Sequence, residues 1–427
     1  MTPPSTIHSR PHGGTRRLPP RAAGATDSAI RLTQRLRVPF DFPVVFTRDL
    51  FAPANPLLAD TLDRLHEDRR HRVMVCLDSG VLRTCPALPQ RLTAYIRAHR
   101  ARLELAGAIV TVGGGERSKD NLGTATRLVR AMHARRLCRH SGVLIVGGGS
   151  VLDVVGFAAS LVHRGLRVVR VPTTVAAQDD VGVGVKTGVD VFGAKNFLGT
   201  FAPPFAVLND LDFLDGLPHR EWIAGLSEAF KVALIKDKTF FTFLCRNAAG
   251  LKARDRIAME EAVIRCAKLH LDHIRRGGDP FETGSARPLD FGHWSAHQLE
   301  VMSGYQLRHG EAVAIGIALD MVIAWRLGFV QRHDLDALLA GLNACGLPTW
   351  TPLLDKRSRT GTLALLDGLE AFREHLGGEL TLSLPNPVGR RTEIHELPRA
   401  LVTTAIRHLS ANQPPTRPPK RHAESEQ

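Results

Sequence analysis

Four short apolar runs occupy the first half of the chain: VMVCLD at 73–78, AIVTVGG at 108–114, GVLIVGGG at 142–149 and RVVRVP at 167–172. Amphipathic stretches around 92–101 and 120–136 separate the first three. Runs this apolar have no polar face to turn toward water, so both faces must be covered. Parallel strands joined by crossover helices achieve that, and βαβ units in a mostly parallel sheet follow. Near residue 211 the period changes. EWIAGLSEAFKVALIKD, DRIAMEEAVIRCAKLHLDHI and GEAVAIGIALDMVIAWRLGF repeat apolar residues at helical spacing, and little reads as strand before ELTLSLP at 379–385. The second half is therefore expected to be mainly helical.

The 427 residues suffice for about two or three domains. An α/β unit is expected over 28–207 and a helical unit over 208–410. The arms at 1–27 and 411–427 are rich in Pro and Arg, lack an apolar face and are expected to be disordered. The basic start lacks both the amphipathic spacing of a transit peptide and a secretory core. Asp153 and Asp320 interrupt the longest apolar stretches, which excludes membrane spans. Six cysteines without a C-x-x-C pair argue against a disulfide framework or a zinc knuckle and point to a reducing cytoplasm. The formal charge of +14 is spread without a dense basic helix or interleaved aromatics. That excludes nucleic acid as a partner and favours small anions. Only ten of the 56 basic residues are lysines, so a lysine marks a place where a compact ammonium is needed. Lys119, Lys186, Lys195 and Lys231 fall in the motifs below.

Gly147, Gly148, Gly149 and Ser150 join an apolar run to the helix-like VLDVVGFAASLV. Glycines at a strand-to-helix turn let amide N–H groups approach a pyrophosphate, whose charge the helix N-terminus favours. Alone, such a turn is also just a tight turn. Two further strand ends add weight: glycines 113–115 with Glu116 and Lys119 close one, and Asp78 closes another where ribose hydroxyls bind. Together they point to a dinucleotide, without the usual G-x-G-x-x-G spacing. In the helical half Glu228 and Lys231 share a helix face, an arrangement that in isolation is an ordinary surface ion pair. His293 and His297 are four apart, and His309 opens an apolar helix, where a lone histidine is more often a core residue. One carboxylate and two imidazoles from separate helices would supply the His₂Glu set of a catalytic zinc.

Five segments, in order, resemble the signatures of the sugar phosphate cyclases, typified by 3-dehydroquinate synthase. They are PTTVAAQDDVGVGVK (172–186), FGAKNFLG (192–199), GLSEAFK (225–231), LDFGHWSAH (289–297) and RHGEAVAIG (308–316), and the similarity runs over 73–390. The resemblance implies a Rossmann-like NAD-binding domain, a C-terminal helical metal-binding domain, a cleft between them and a homodimer. It implies Glu228, His293 and His309 as ligands of zinc, with cobalt as the other candidate. It places Asp78, Glu116, Lys119, Gly148, Gly149, Asp153, Thr173 and Thr174 around NAD. Lys186, Lys195, Asn196, Asp290 and His297 would bind the sugar phosphate. Lys231, His297, Asp180 and Lys186 would be catalytic, and Arg164 would reach the neighbouring subunit's phosphate site. The implied reaction oxidises a carbinol transiently, eliminates phosphate, returns the hydride and closes a carbocycle by intramolecular aldol addition.

The chain departs from that pattern where the substrate's far end would lie. In 3-dehydroquinate synthases the segment before the first zinc histidine reads D-E-R-E and then L-N-x-G-H, and an upstream helix carries a lysine; that arginine and lysine hold a carboxylate. Here 279–282 read DPFE, 289–293 read LDFGH, and His270 stands at the lysine position. Phe281 for arginine and Asp290 for asparagine would leave a buried carboxylate poorly compensated. A neutral polyol end is expected, as in cyclases of sedoheptulose 7-phosphate such as 2-epi-5-epi-valiolone synthase. The alternative is 3-dehydroquinate synthase, with Arg276 or Arg287 supplying the charge. A NAD-dependent polyol or alcohol dehydrogenase is the alternative from another class, against which the lysines of VGVGVK and AKN speak. A catalytically inactive regulatory homologue is opposed by the complete metal set and Lys231.

Overall fold

The computed structural model describes residues 32–36, 38–120, 122–277, 281 and 288–412. The chain divides into a unit of residues 1–40 and a unit of 41–427. In the first, 32–36 and 38–40 are described and carry neither helix nor strand; the arm expected at 1–27 lies outside the described residues, as do 413–427. The helix Arg399–Ala411 runs one residue into the tail expected from 411.

The strands of the second unit are β1 (Val44–Thr47), β2 (His71–Asp78), β3 (Leu103–Leu105), β4 (Val110–Val112), β5 (Gly142–Gly147), β6 (Arg167–Pro172), β7 (Lys186–Val191), β8 (Ala194–Phe201), β9 (Ala206–Asp210), β10 (Leu382–Pro385) and β11 (Arg391–Ile394). Seven form a parallel sheet in the order β1-β9-β6-β5-β2-β3, with β4 also on β2. Its central strands are covered on both faces, as their unbroken apolarity requires. Val143 and Ile145 pack toward the helices Gly123–Ala134 and Gly149–Leu161, and Leu144 and Val146 toward Leu58, Leu88, Leu92 and Tyr95. From β2 the chain passes to β3 and β4 on one side, then to β5 on the other. The carboxyl ends of β2 and β5 therefore flank the switch point, where open α/β sheets bind ligands.

Several elements depart from the sequence expectation. The apolar run at 108–114 contributes only the three residues of β4, and β3 forms separately from LEL. The antiparallel hairpin β7–β8 was not anticipated, because β8 is half exposed and carries no apolar run. β9 crosses the boundary expected at 207 and is the inner neighbour of β1, which also escaped notice. The strand expected at 379–385 is β10, and it pairs with an unexpected β11.

The helical half is organised around His309–Arg326, whose residues from Ala312 to Ala324 are all buried. A helix apolar all round belongs at the centre of a bundle. It lies against Leu226–Lys236, His293–Met302, Arg332–Cys345 and Arg399–Ala411. Glycine permits a close approach: a methyl on Gly316 would fall 2.1 Å from the carbonyl oxygen of Gly292, itself at φ +79°. That contact seats the start of the helix His293–Met302 two turns along the helix that His309 opens. No helix among the described residues is long and apolar enough to cross a membrane. Gly316→Ala should lower stability by about 1–3 kcal/mol through overpacking, read as a fall in the thermal midpoint; an unchanged midpoint would show that the turn yields freely.

Candidate functional site

The expected nucleotide residues gather at the carboxyl edge of the sheet. Asp78, 7 % exposed, accepts from the Gly80 N–H at 2.7 Å through Oδ1 and from the Gly148 N–H at 3.1 Å through Oδ2. It thus tethers the end of β2 to the glycine turn. A methyl on Gly114 would come within 2.3 Å of Asp78 Oδ1, whereas Gly113 and Gly115 face open space, leaving bare backbone beside the turn. Ser150 donates to Glu116 Oε2 at 3.0 Å. Lys119 donates to Asp153 at 2.9 Å and to the side-chain oxygen of Asn196 at 2.5 Å. Thr174 caps the helix Val175–Asp179 by accepting from the Ala177 N–H. The buried hydroxyl of Thr173 has no hydrogen-bond partner among the described residues.

Facing this edge, Glu228, His293 and His309 place their donor atoms within 4.8 Å of one another. Far from being a surface pair, Glu228 and Lys231 are 1 % and 2 % exposed. Lys231 Nζ lies 2.5 Å from Glu228 Oε2, and His309 Nε2 lies 3.3 Å from Oε1. Neither approach has ordinary hydrogen-bond geometry: Oε2 faces the ammonium of Lys231 and Oε1 the imidazole nitrogens. Buried carboxylate oxygens without a hydrogen bond are rare in folded proteins, and these suit a cation. The imidazoles are prepared for the same partner. His293 Nδ1 sits 3.1 Å from the Phe291 carbonyl oxygen and His309 Nδ1 3.3 Å from Glu300 Oε2. Both are acceptors, so each Nδ1 carries a proton and donates, and each Nε2 is turned toward Glu228. Burial favours a neutral Glu228, but Lys231 and then His309 outweigh it and hold its pKa well below the usual range.

The remaining residues surround this centre. Asp180 Oδ1 lies 2.8 Å from His270 Nδ1 and 3.9 Å from Lys231 Nζ. Lys231 stays protonated against burial because Asp180, Glu228 and Asp290 act on it. Asp290 is thus within electrostatic reach of Lys231 and of His293. His297 stacks beside His309 and is pushed well down by burial and by His293, so it is neutral. Lys195 Nζ lies 3.0 Å from Glu116 Oε1 and 2.9 Å from Glu300 Oε1, crossing from the sheet side to the helices. Asn196 adopts φ +49° on the hairpin and donates its N–H to Asp190. Lys186 is exposed at the start of β7. Phe281 stacks on Phe201 at the end of β8, with centroids 5.0 Å apart. The rest of the 279–282 segment, and Arg287, lie outside the described residues. Arg164 is exposed beyond the 13-residue helix Gly149–Leu161, whose length of about 20 Å separates it from the glycine turn.

Residues 109–224 match the 3-dehydroquinate synthase N-terminal family and 225–366 its C-terminal family. The chain belongs to the 3-dehydroquinate synthase family. Its members are sugar phosphate cyclases, carbon–oxygen lyases, and membership sets the alcohol dehydrogenase alternative aside. A 3-dehydroquinate synthase of Xylella fastidiosa (strain M12) is 36% identical, over 73% of this chain and 83% of its own. The 2-epi-5-epi-valiolone synthase of Streptomyces glaucescens is also 36% identical, over 83% of this chain and 87% of its own. In structure the chain is similar to ValA, the 2-epi-5-epi-valiolone synthase of Streptomyces hygroscopicus subsp. jinggangensis 5008, solved with NAD+ and Zn2+ bound. That match has a TM-score of 0.79 and 30% identity, covering 90% of this chain and all of that one.

Two site residues escaped sequence reasoning in this family member. Glu300 follows His293 by seven residues and His297 by three on one helix, so it shares their face. Asp320 is an acid inside an otherwise apolar buried helix. It accepts from the Gly292 N–H at 3.0 Å and from Trp294 Nε1 at 2.8 Å, fixing the turn that presents His293. Burial pushes its pKa up to about 7 against those two hydrogen bonds. Asp320→Ala should cost about 2–4 kcal/mol by stranding two buried donors, measurable by urea denaturation. A loss below about 0.5 kcal/mol would show that neither bond matters.

Proposed function

We propose that the protein is a NAD- and zinc-dependent cyclase of a non-carboxylated sugar phosphate, sedoheptulose 7-phosphate or a close relative. The single observation that carries the catalytic part is the buried carboxylate of Glu228, which makes no hydrogen bond of ordinary geometry and has the Nε2 atoms of two Nδ1-anchored imidazoles turned toward it. Glu228, His293 and His309 fit a divalent cation with open positions for substrate oxygens. The edge formed by Asp78, Glu116, Lys119, Gly148, Gly149, Asp153, Thr173 and Thr174 fits a dinucleotide. When bound, the nucleotide supplies reversible hydride acceptance and the cation polarises the oxygens beside it.

The chain's own groups then have distinct tasks. Lys231, held charged, offers an ammonium donor beside the cation site. Asp180 stays ionised because Lys231 outweighs burial, and it can accept a hydroxyl proton next to His270. Neutral His297 offers hydrogen bonds without repelling the cation. Lys186, Lys195 and Asn196 give charge-assisted and polar contacts to the phosphate. Arg164, exposed and about 20 Å from its own glycine turn, serves the partner's site in a homodimer. Action in the reducing cytoplasm is supported by six cysteines that are all free thiols.

The choice of substrate rests on Asp290 and Phe281. A carboxylated substrate would set its anion near the carboxylate of Asp290, and an aromatic ring packed on Phe201 offers it no compensating charge. The test incubates purified protein with NAD, zinc and either sedoheptulose 7-phosphate or the carboxylated substrate of 3-dehydroquinate synthase, following phosphate release. Turnover of the carboxylated sugar alone would make 3-dehydroquinate synthase the correct assignment. Glu228→Gln should reduce bound zinc to less than about a tenth of the wild-type content by removing the anionic ligand. Elemental analysis of the folded variant checks this, and full zinc occupancy would exclude Glu228 as a ligand.

A further inference from the structure

Glu300 divides one buried carboxylate between two parts of the site. It is 2 % exposed, its Oε2 lies 3.3 Å from His309 Nδ1, and its Oε1 accepts from Lys195 Nζ at 2.9 Å. His309 turns its other ring nitrogen toward Glu228 Oε1. Lys195 is also 3.0 Å from Glu116 Oε1, and Glu116 is the partner of Ser150 at the glycine turn. Charge-assisted contacts therefore join the β7–β8 hairpin through Glu300 to His309, whose ring stands beside the carboxylate at the centre of the cation site. His297, Glu300 and His309 also place donor atoms within 4.8 Å of one another. They do not make a second cation site, because both oxygens of Glu300 are already engaged.

The physics of such a bridge is competitive. An anion on the far nitrogen of a ligating imidazole fixes the ring and raises the basicity of the near nitrogen. Lys195 draws on the same carboxylate from its other oxygen and weakens that effect. We propose that Glu300 is a positioning residue that couples cation affinity at Glu228, His293 and His309 to the engagement of Lys195. When an anionic group on the substrate draws Lys195 away, Glu300 is released to His309 and the cation is held more tightly. Linkage makes the effect reciprocal: a bound cation loosens Lys195 for the incoming anion. The inference rests on the cation part of the proposed function and is independent of the choice of sugar.

The test is a double-mutant cycle read by cobalt affinity. Full-length protein is stripped of metal with a chelator and titrated with Co2+, whose visible absorption reports its coordination. Glu300→Gln keeps the shape and removes the charge; it should weaken Co2+ binding by about 10- to 100-fold and shift the absorption band as His309 reorients. Lys195→Met should tighten Co2+ binding by about fivefold or more. The double variant should match Glu300→Gln to within about twofold, because Lys195 acts only through Glu300. Equal effects of Lys195→Met in both backgrounds would overturn the coupling, as would wild-type affinity in Glu300→Gln. Should circular dichroism show that Glu300→Gln does not fold, Lys195→Met decides alone, and affinity no tighter than wild type defeats the proposal. Wild-type protein that takes up no cobalt would remove the cation site as well, whereas cobalt uptake with additive effects removes only the coupling.

Discussion

An ionised carboxylate and an ammonium held together away from water are what the rest of this site depends on. Glu228 and Lys231 lie one helical turn apart and are almost inaccessible to solvent. Two charges so placed lose most of their hydration, and their mutual attraction repays that only with further partners. Asp180 and Asp290 supply negative charge to Lys231, and His293 and His309 face Glu228. Neither oxygen of Glu228 makes a hydrogen bond of ordinary geometry, so a divalent cation would complete the arrangement rather than disturb it. The helix that carries the pair is mostly apolar and packs on the central helix His309–Arg326. The surrounding core keeps water out, which strengthens each remaining electrostatic contact.

The sheet half and the helical half meet through charge as well as apolar packing. Lys119 and Lys195 are buried cations whose pKa is raised despite burial: Asp153 and Glu116 act on the first, Glu116 and Glu300 on the second. Glu116 is correspondingly brought down to about 2 by these lysines, against the effect of its own burial. At both places a compact ammonium stands between two carboxylates as a point charge. The same network places groups that suit a nucleotide within reach of groups that suit a phosphate and a cation.

Much of this was legible before any coordinates. Unbroken apolar strands required a sheet covered on both faces, and the helical period after residue 211 required a bundle. The histidine spacing in HWSAH and the position of His309 already suggested convergence. The hairpin β7–β8 was not legible, because its half-exposed outer strand carries no periodic signal, and yet it holds Lys195 and Asn196. Nor was β1 legible, since a four-residue edge strand says little without its neighbour β9. Glu300 and Asp320 were visible as residues, but the first carried no signal that singled it out and the second served only as evidence against a membrane span.

By itself the sequence determined the local periods, the glycine turns and the residue types able to bind phosphate, nucleotide and metal, because these follow from short-range sterics and side-chain chemistry. Only the tertiary structure decided which of those residues share a single environment. The sheet's switch point sets Asp78 against Gly148, and the bare backbone of Gly316 lets one helix press against Gly292 so that His293 and His309 stand side by side. Whether Glu228 and Lys231 are a solvated surface pair or the buried centre of a site depends on what covers them, and elements far along the chain supply that cover.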